Sequence, residues 1–103
     1  MIIINTTYQV AVNLEEDWID WIRNIYIPAV TKSGMLAEPR LYKLFTEQED
    51  GAVSYALQFE VESLDVLESW SEKYGDSLRT SLSDKYQDKI LGFTTLMEKL
   101  DLI

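Results

Sequence analysis

The sequence predicts an α+β fold in which two helical regions cover one face of a four-stranded antiparallel sheet. Apolar and polar residues alternate in four segments, while apolar residues recur at spacings of three and four in two others, which indicates strands and helices. These segments follow one another in the order β-α-β-β-α-β. The chain has 103 residues, 47% of them hydrophobic, which is the length and apolar content of one domain with its own core. We therefore expect a single domain over residues 1–103.

The first strand is predicted over residues 2–12, IIINTTYQVAV, and a helix follows it. The even positions of this strand form an apolar face, and the odd positions form a face without any charge. Asn13 is expected to cap the helix, with Glu16 at the capping-box position three residues later. Pro28 is expected to kink the helix or end its regular part, and Gly34 is expected to stop it.

A β-hairpin is predicted in the middle of the chain. Its first strand covers residues 40–48, RLYKLFTEQ, and its second covers residues 52–62, AVSYALQFEVE. The turn at residues 49–51 contains Asp-Gly, and this dipeptide between two alternating segments is a strong hairpin signal.

A second helical region and a last strand complete the chain. Ser63 is expected to cap the helix, Gly75 to interrupt it and Asp76 to cap it again. The last strand is predicted over residues 89–97, KILGFTTLM.

The order of these elements predicts the topology. A split βαβ arrangement with right-handed crossovers places the first and third strands at the centre of the sheet and both helical regions on one face. This is the ferredoxin-like fold, predicted here from the pattern alone because the chain has no cysteine.

The sheet face opposite the helices is unusual because its central strands carry small or uncharged polar residues. A face exposed to water is expected to carry alternating Lys and Glu. One interpretation is that Thr and Ser simply favour strands, with Gln as an ordinary exposed residue. The other is that a second copy packs sheet to sheet, as in a symmetric homodimer. The residues predicted to form this interface are Asn5, Thr7, Gln9, Ser54, Ala56 and Gln58.

Composition excludes several classes of function. The chain contains neither Cys nor His, which excludes disulfides, the usual zinc sites, a thiol nucleophile, an imidazole base and a haem held by either residue. We expect no cofactor and no metal. The net charge of −9 argues against nucleic acid and against an anionic membrane surface as partners. No leader peptide or membrane-length apolar segment is visible, so a cytoplasmic location is expected.

Four segments carry a resemblance to a known family: MIIINTTYQV, YIPAV, EPRLYKL and GAVSYALQFEVES. The chain resembles a small bacterial family of unknown function within the dimeric α/β-barrel group. The resemblance implies a ferredoxin-like protomer whose sheet forms a barrel with that of a second copy. It also implies a ligand pocket, either between helices and sheet or inside the barrel. The residues that we expect to line such a pocket are Asn5, Thr7, Tyr26, Arg40, Tyr42, Gln58 and Trp70.

No catalytic residue is predicted. The acidic residues lie mainly at predicted helix surfaces, and no carboxylate pair occupies an inward-facing strand position. The sequence therefore favours a non-catalytic dimeric module that binds a small apolar or aromatic ligand or a protein partner. The alternative is a cofactor-independent enzyme, such as a monooxygenase acting on a small aromatic substrate. A pocket in which Arg40 or Asn5 meets a tyrosine hydroxyl would favour the enzyme.

Overall fold

Within residues 1–45 and 51–102, which a computed structural model describes, strands and helical regions follow the predicted order β-α-β-β-α-β. The strands are β1 (Ile2–Ala11), β2 (Leu36–Lys43), β3 (Ala52–Val61) and β4 (Ile90–Glu98). The first helical region consists of α1 (Glu15–Trp21), a π-helical turn (Ile22–Tyr26) and α2 (Ile27–Thr31). The second consists of α3 (Leu64–Trp70), a π-helical turn (Ser71–Gly75) and α4 (Asp76–Tyr86). Short 3-10 turns occur at Val12–Leu14 and Gln87–Lys89. In the part of the chain that the structure describes, no helix is long and apolar enough to cross a membrane.

The four strands form one antiparallel sheet in the order β2-β3-β1-β4. The predicted central position of the first and third strands is therefore confirmed, as is the ferredoxin-like fold. Asn5 pairs with Gln58 of β3 and with Thr95 of β4, so these three residues share one face. Tyr8 pairs with Tyr55 and Gly92, which share the other face.

The core lies between the helical regions and the sheet. At its centre the indole of Trp18 lies between two tyrosine rings, 5.2 Å from the centroid of Tyr8 and 5.1 Å from that of Tyr55. Tilted aromatic pairs at this distance are favourable beyond the area that they bury. The other buried residues of this cluster are Val10, Ile22, Val30, Leu36, Leu57, Phe59, Val61, Trp70, Tyr86 and Ile90.

Two carboxylates on α1 bind this helix to its neighbours. The hydroxyl of Tyr55 on β3 donates a hydrogen bond to Glu15, whose carboxylate also pairs with Lys43 at 3.0 Å. The hydroxyl of Tyr86 at the end of α4 donates to Asp17 at 2.8 Å. Both buried phenols thereby find an acceptor at the edge of the core.

The ends of the helices confirm two predicted signals and contradict one. The Ser63 hydroxyl accepts a hydrogen bond from the Val66 amide at 3.3 Å, as expected of an N-cap. Gly34 ends the first helical region with φ +78°, and its amide donates to the Thr31 carbonyl at 3.0 Å. The predicted cap at Asn13 is wrong, because this residue lies inside a 3-10 turn and α1 begins at Glu15 without a side-chain cap.

Both helical regions contain a π-helical turn that the sequence analysis did not predict. Pro28 lies just after the first such turn and the helix continues past it, so the irregular segment precedes the proline. Proline lacks the amide hydrogen that a regular helix would need here. Gly75 was expected to interrupt the second region and Asp76 to cap a new helix, but the helical path continues through both residues. A Cβ on Gly75 would lie 3.3 Å from the Ser71 hydroxyl oxygen and in ordinary contact with the Trp70 ring, so the helical path has room for it with a small shift of Ser71.

The strand boundaries agree with prediction to within one residue for β1, β3 and β4. Strand β2 is the exception, since it covers Leu36–Lys43 whereas residues 40–48 were predicted. No strand was predicted before Arg40, but this segment is strand with a bulge at Glu38, where φ is +52° and the register shifts. Residues 46–50, which include most of the predicted hairpin turn, lie outside the described residues.

Candidate functional site

A cavity of about 530 Å³ lies between the second helical region and strands β1 and β4. It is on the helix-covered face of the sheet, next to the edge strand. The residues that line it are Ile4, Thr6, Tyr8, Tyr26, Leu67, Trp70, Ser71, Gly75, Arg79, Leu82, Gly92, Thr94 and Leu96. Three aromatic rings and four aliphatic side chains make this lining mostly apolar, which is typical of small-molecule sites.

The cavity exists because small residues occupy strand positions that face the helices. Thr6, Gly92 and Thr94 stand where large apolar side chains would fill the space beneath α3 and α4. The hydroxyls of Thr6 and Thr94 pair at 3.0 Å. A Cβ on Gly92 would lie 3.1 Å from the ring of Tyr8, so glycine lets this ring lie flat against the strand. The sequence of β4 therefore opens the space that Tyr8 borders.

Two phenols supply hydrogen-bonding groups to this apolar lining. The side chains of Tyr8 and Tyr26 both line the cavity. Burial raises the pKa of both hydroxyls above the ordinary value for tyrosine, more strongly than the nearby charge of Arg79 lowers that of Tyr26. Both phenols are therefore neutral at physiological pH. They can donate or accept hydrogen bonds, but they are poorly suited to act as bases.

Arg79 supplies the one charged group among the described residues that line the cavity. Its side chain is 70% exposed, and its guanidinium pairs with the Asp76 carboxylate at 2.5 Å. The Asp76 side chain is 86% exposed. An ion pair between two such exposed groups is weak, so the guanidinium can exchange this partner for another anion.

Trp70 joins the two helical regions beside the cavity. Its indole Nε1 donates to the Val30 carbonyl at 3.3 Å, and the residue is buried. The position of the Trp70 ring beside the cavity is therefore set by this contact between the two helical regions as well as by α3.

The residues predicted for the ligand site do not form one site. Tyr26 and Trp70 line the cavity. The other five residues lie on the opposite face of the sheet, which we call the open face; they are Asn5, Thr7, Arg40, Tyr42 and Gln58. The sheet therefore separates the two helix residues from the five strand residues, which all share the open face.

On the open face, the polar residues form a short chain of hydrogen bonds. The amide of Gln58 donates to Asn5 at 3.2 Å, and the amide of Asn5 donates to Thr7 at 3.3 Å. Arg40 at the β2 edge lies 3.9 Å from the Glu60 carboxylate. These contacts use much of the hydrogen-bonding capacity of the central strands within the protomer.

The same face exposes large apolar side chains on its edge strands. Phe93 is 70% exposed, and Leu91, Tyr42 and Met97 are also exposed. Ala56, at the centre of the open face, is only 7% exposed. An apolar surface of this kind on an otherwise strongly charged chain indicates an interaction surface.

Eleven of the thirteen described residues that line the cavity were not proposed as site residues from the sequence, and those that matter most for the site are Thr6, Tyr8, Arg79, Gly92 and Thr94. For three of these residues the sequence contains a pattern that could have indicated a cavity. Thr6, Gly92 and Thr94 interrupt the helix-facing, apolar sides of β1 and β4, where a filled core would carry larger residues. No sequence pattern indicated Arg79, because its position at the cavity depends on how α4 packs over the sheet.

A second, wider hollow of about 710 Å³ lies beside the β2 bulge. Glu38, Glu60 and Glu62 are among its lining residues. Among the residues described, no group of three or more acidic, His or Cys side chains is placed to hold a metal ion.

Residues 1–100 match the family described as a domain of unknown function, DUF4286, and the chain therefore belongs to this family. The resemblance inferred from the sequence, to a family of unknown function with this fold, is confirmed. No curated protein matches the chain.

Solved structures with the same fold cover nearly the whole chain. HapK from Hahella chejuensis has a TM-score of 0.73 at 12% identity, over 97% of this chain and 93% of HapK. A dimeric ferredoxin-like protein from an uncultured marine organism has a TM-score of 0.73 at 10% identity, over 100% and 98%. A mutant of MhuD with two manganese protoporphyrin IX molecules bound per active site has a TM-score of 0.64 at 11% identity, over 100% and 96%. At these identities the similarity concerns the fold alone.

Proposed function

We propose that this protein is a homodimer that binds a small aromatic ligand without catalysis, one molecule in the cavity of each protomer. The observation that carries the proposal is the cavity of about 530 Å³ in which Tyr8, Tyr26 and Trp70 surround a space of ligand size. Aromatic rings offer large apolar contact area with little loss of conformational entropy. A flat aromatic molecule suits this lining better than a flexible or highly charged one.

The absence of a base from the lining supports a binding role. Tyr8 and Tyr26 hold their protons at physiological pH, and no carboxylate is among the described residues of the lining. A pocket in which Arg40 or Asn5 meets a tyrosine hydroxyl would favour the alternative function, a monooxygenase. Both residues lie on the open face, away from the hydroxyls of the cavity.

The open face supports the homodimer. Its exposed apolar side chains, Phe93 above all, gain from burial against a second copy. Residues 5–9 of β1 and 54–58 of β3 place no charge on this face that burial would penalise, and Glu60 further along β3 is paired with Arg40. One of the proteins with this fold is described as a dimeric ferredoxin-like protein. The interface that we propose contains Asn5, Thr7, Gln9, Ser54, Ala56 and Gln58 at its centre, with the side chains of β4 beside them.

Two adjacent threonines provide the test. Thr94 lines the cavity, and Thr95 pairs with Asn5 on the open face. Both are exposed residues of an edge strand, so Trp at either position is compatible with the sheet. We expect Thr94→Trp to fill the cavity and abolish binding of naphthalene-2-methanol, measured by titration calorimetry, while the protein stays dimeric. We expect Thr95→Trp to retain binding and to change the dimer dissociation constant, measured by sedimentation.

The two variants contradict the proposal in different ways. Unchanged naphthalene-2-methanol binding by Thr94→Trp would show that the cavity is not the ligand site. An unchanged dissociation constant of Thr95→Trp, or a monomeric wild-type protein, would show that the open face does not form the dimer.

A further inference from the structure

We infer that the ligand is an aromatic carboxylate, with its ring system among Tyr8, Tyr26 and Trp70 and its carboxylate on Arg79. This inference rests on the proposed function and adds the chemical class of the ligand. It follows from the distribution of charge around the cavity, which is apolar inside and carries a cation at its exposed side.

The position of Arg79 makes it an anchor for an anion. It is among the lining residues, yet 70% of its side chain is exposed, so it lies where the cavity meets solvent. The guanidinium can hold a carboxylate through two parallel hydrogen bonds. The overall charge of −9 would repel an anion elsewhere on the surface, so a site for an anion needs such a local cation.

Neutral hydroxyls near this cation extend the site. Arg79 and Tyr26 both line the cavity, so the guanidinium and this phenol face the same space. The Tyr8 phenol lines the same cavity. A carboxylate or ring hydroxyl at this point can accept a hydrogen bond from a phenol while it pairs with the guanidinium. No carboxylate is among the described residues of the lining, so a ligand ammonium group would find its acidic partner only outside it, at the exposed Asp76.

Asp76 pairs with the guanidinium that a ligand carboxylate would use. It pairs with Arg79 at 2.5 Å, but at 86% exposure its carboxylate is well hydrated and bound only weakly. A ligand carboxylate would be held both by the guanidinium and by the ring contacts of its own molecule, so it has the advantage. Asp76 is therefore a competitor of the ligand, and its removal should tighten binding.

The experiment compares two probes of nearly equal shape, naphthalene-2-carboxylate and naphthalene-2-methanol, on the wild type and on charge variants. Arg79→Gln is expected to weaken the carboxylate by about tenfold or more and to change the affinity for the alcohol by less than about twofold. Asp76→Asn is expected to tighten the carboxylate by about threefold, with the alcohol again unchanged. Lys73→Gln is the matched control, because it removes the same charge from an exposed residue outside the cavity lining.

Each result separates this inference from the proposed function. If both probes bind and Arg79→Gln weakens them equally or not at all, the carboxylate assignment is wrong while the aromatic site stands. If Lys73→Gln weakens the carboxylate as much as Arg79→Gln does, the effect is one of net charge and the assignment is also wrong. If neither probe binds the wild type, the aromatic site itself is refuted and the assignment with it.

Discussion

The two faces of the sheet are built from alternate residues of the same strands, yet they have different chemistry. On the helix-covered face, Tyr8, Trp18 and Tyr55 pack ring against ring. On the open face, Asn5 and Gln58 are linked by hydrogen bonds, and Phe93 is 70% exposed. One face is completed within the protomer, whereas the other retains apolar surface that a second copy can bury.

The helix-covered face is itself divided into two parts. Near α1 the layer between helices and sheet is filled by aromatic rings. Near β4 the same layer contains the cavity, because Gly92 and Thr94 replace larger residues. A closed core and a ligand site thus lie side by side on one face, while assembly uses the other.

The largest effect should follow from a charge on the open face. We expect Thr7→Lys to raise the dimer dissociation constant by about 100-fold, since an unpaired buried charge costs about 3 kcal/mol or more. Ala56→Lys should do the same, although Ala56 is only 7% exposed and its folding must be checked by circular dichroism. Sedimentation at low micromolar concentration measures the effect. Thr80→Lys on exposed α4 is the control and should remain dimeric; a dimeric Thr7→Lys would place the interface elsewhere.

The closed part of the helix-covered face should respond to loss of a single hydroxyl. We expect Tyr55→Phe to lower the free energy of unfolding by about 1–2 kcal/mol, because the hydrogen bond to the Glu15 carboxylate is lost. Tyr86→Phe should lower the free energy of unfolding by less, about 0.5 kcal/mol. Its acceptor Asp17 is 61% exposed, so water replaces the hydroxyl as the hydrogen-bond donor to this carboxylate. Urea denaturation at pH 7 compares the two. Equal losses would mean that exposure of the acceptor does not govern the cost.

The Tyr55–Glu15 hydrogen bond makes the free energy of unfolding depend on pH in both the acid and the alkaline range. The hydrogen bond from Tyr55, followed by that from Lys43, lowers the pKa of Glu15. As the pH falls, Glu15 is therefore protonated in the unfolded state before it is protonated in the folded state. The stability that the Glu15 carboxylate contributes is lost as the pH falls through the acid range. Burial raises the pKa of Tyr55 from 10.0 to about 12, so its contribution is lost as the pH rises from 10 towards 12. Glu15→Gln should flatten the acid part of the stability profile; an unchanged acid slope would contradict this assignment.

The smallest effect on stability is expected at the cavity. Gly92→Ala removes backbone freedom from the unfolded state, which stabilises, but its Cβ would lie 3.1 Å from the ring of Tyr8, which destabilises. We expect the free energy of unfolding to change by less than about 1 kcal/mol. Binding of naphthalene-2-methanol should nonetheless weaken by about threefold, because Tyr8 must move into the cavity. Thr95→Ala, three residues away on the other face, should leave binding unchanged.

Much of the fold could be predicted from periodicity, because alternation in β1 and β3 identifies which residues share a face. The prediction failed where local signals conflicted with packing. The segment before Arg40 contains Pro39, which favours a loop or an edge, yet Leu36 is 1% exposed and its burial holds the segment in the sheet. Asn13 is a good cap by type, but a 3-10 turn delays the start of α1 until Glu15.

The candidate site was only partly accessible from the sequence. Tyr26 and Trp70 were expected on the helix side, and they line the cavity. Asn5 and Thr7 were assigned both to a pocket and to the interface; their position on the open face separates them from the cavity between helices and sheet, and it suits either the interface or the inside of a barrel. A single sequence cannot decide such cases, because the parity of a strand residue shows its face but not what covers that face.

By itself, the sequence determined the order of elements, the two faces of the sheet and the absence of thiol and imidazole chemistry. These properties depend on residue type and on local periodicity, both of which can be read along the chain. Only the tertiary structure decided that Arg79 on α4 meets Tyr26 of the first helical region and Thr94 of β4 around one cavity. Such a site depends on how helices that are distant in sequence pack over the sheet, and that packing is set by the volumes of all the side chains between them.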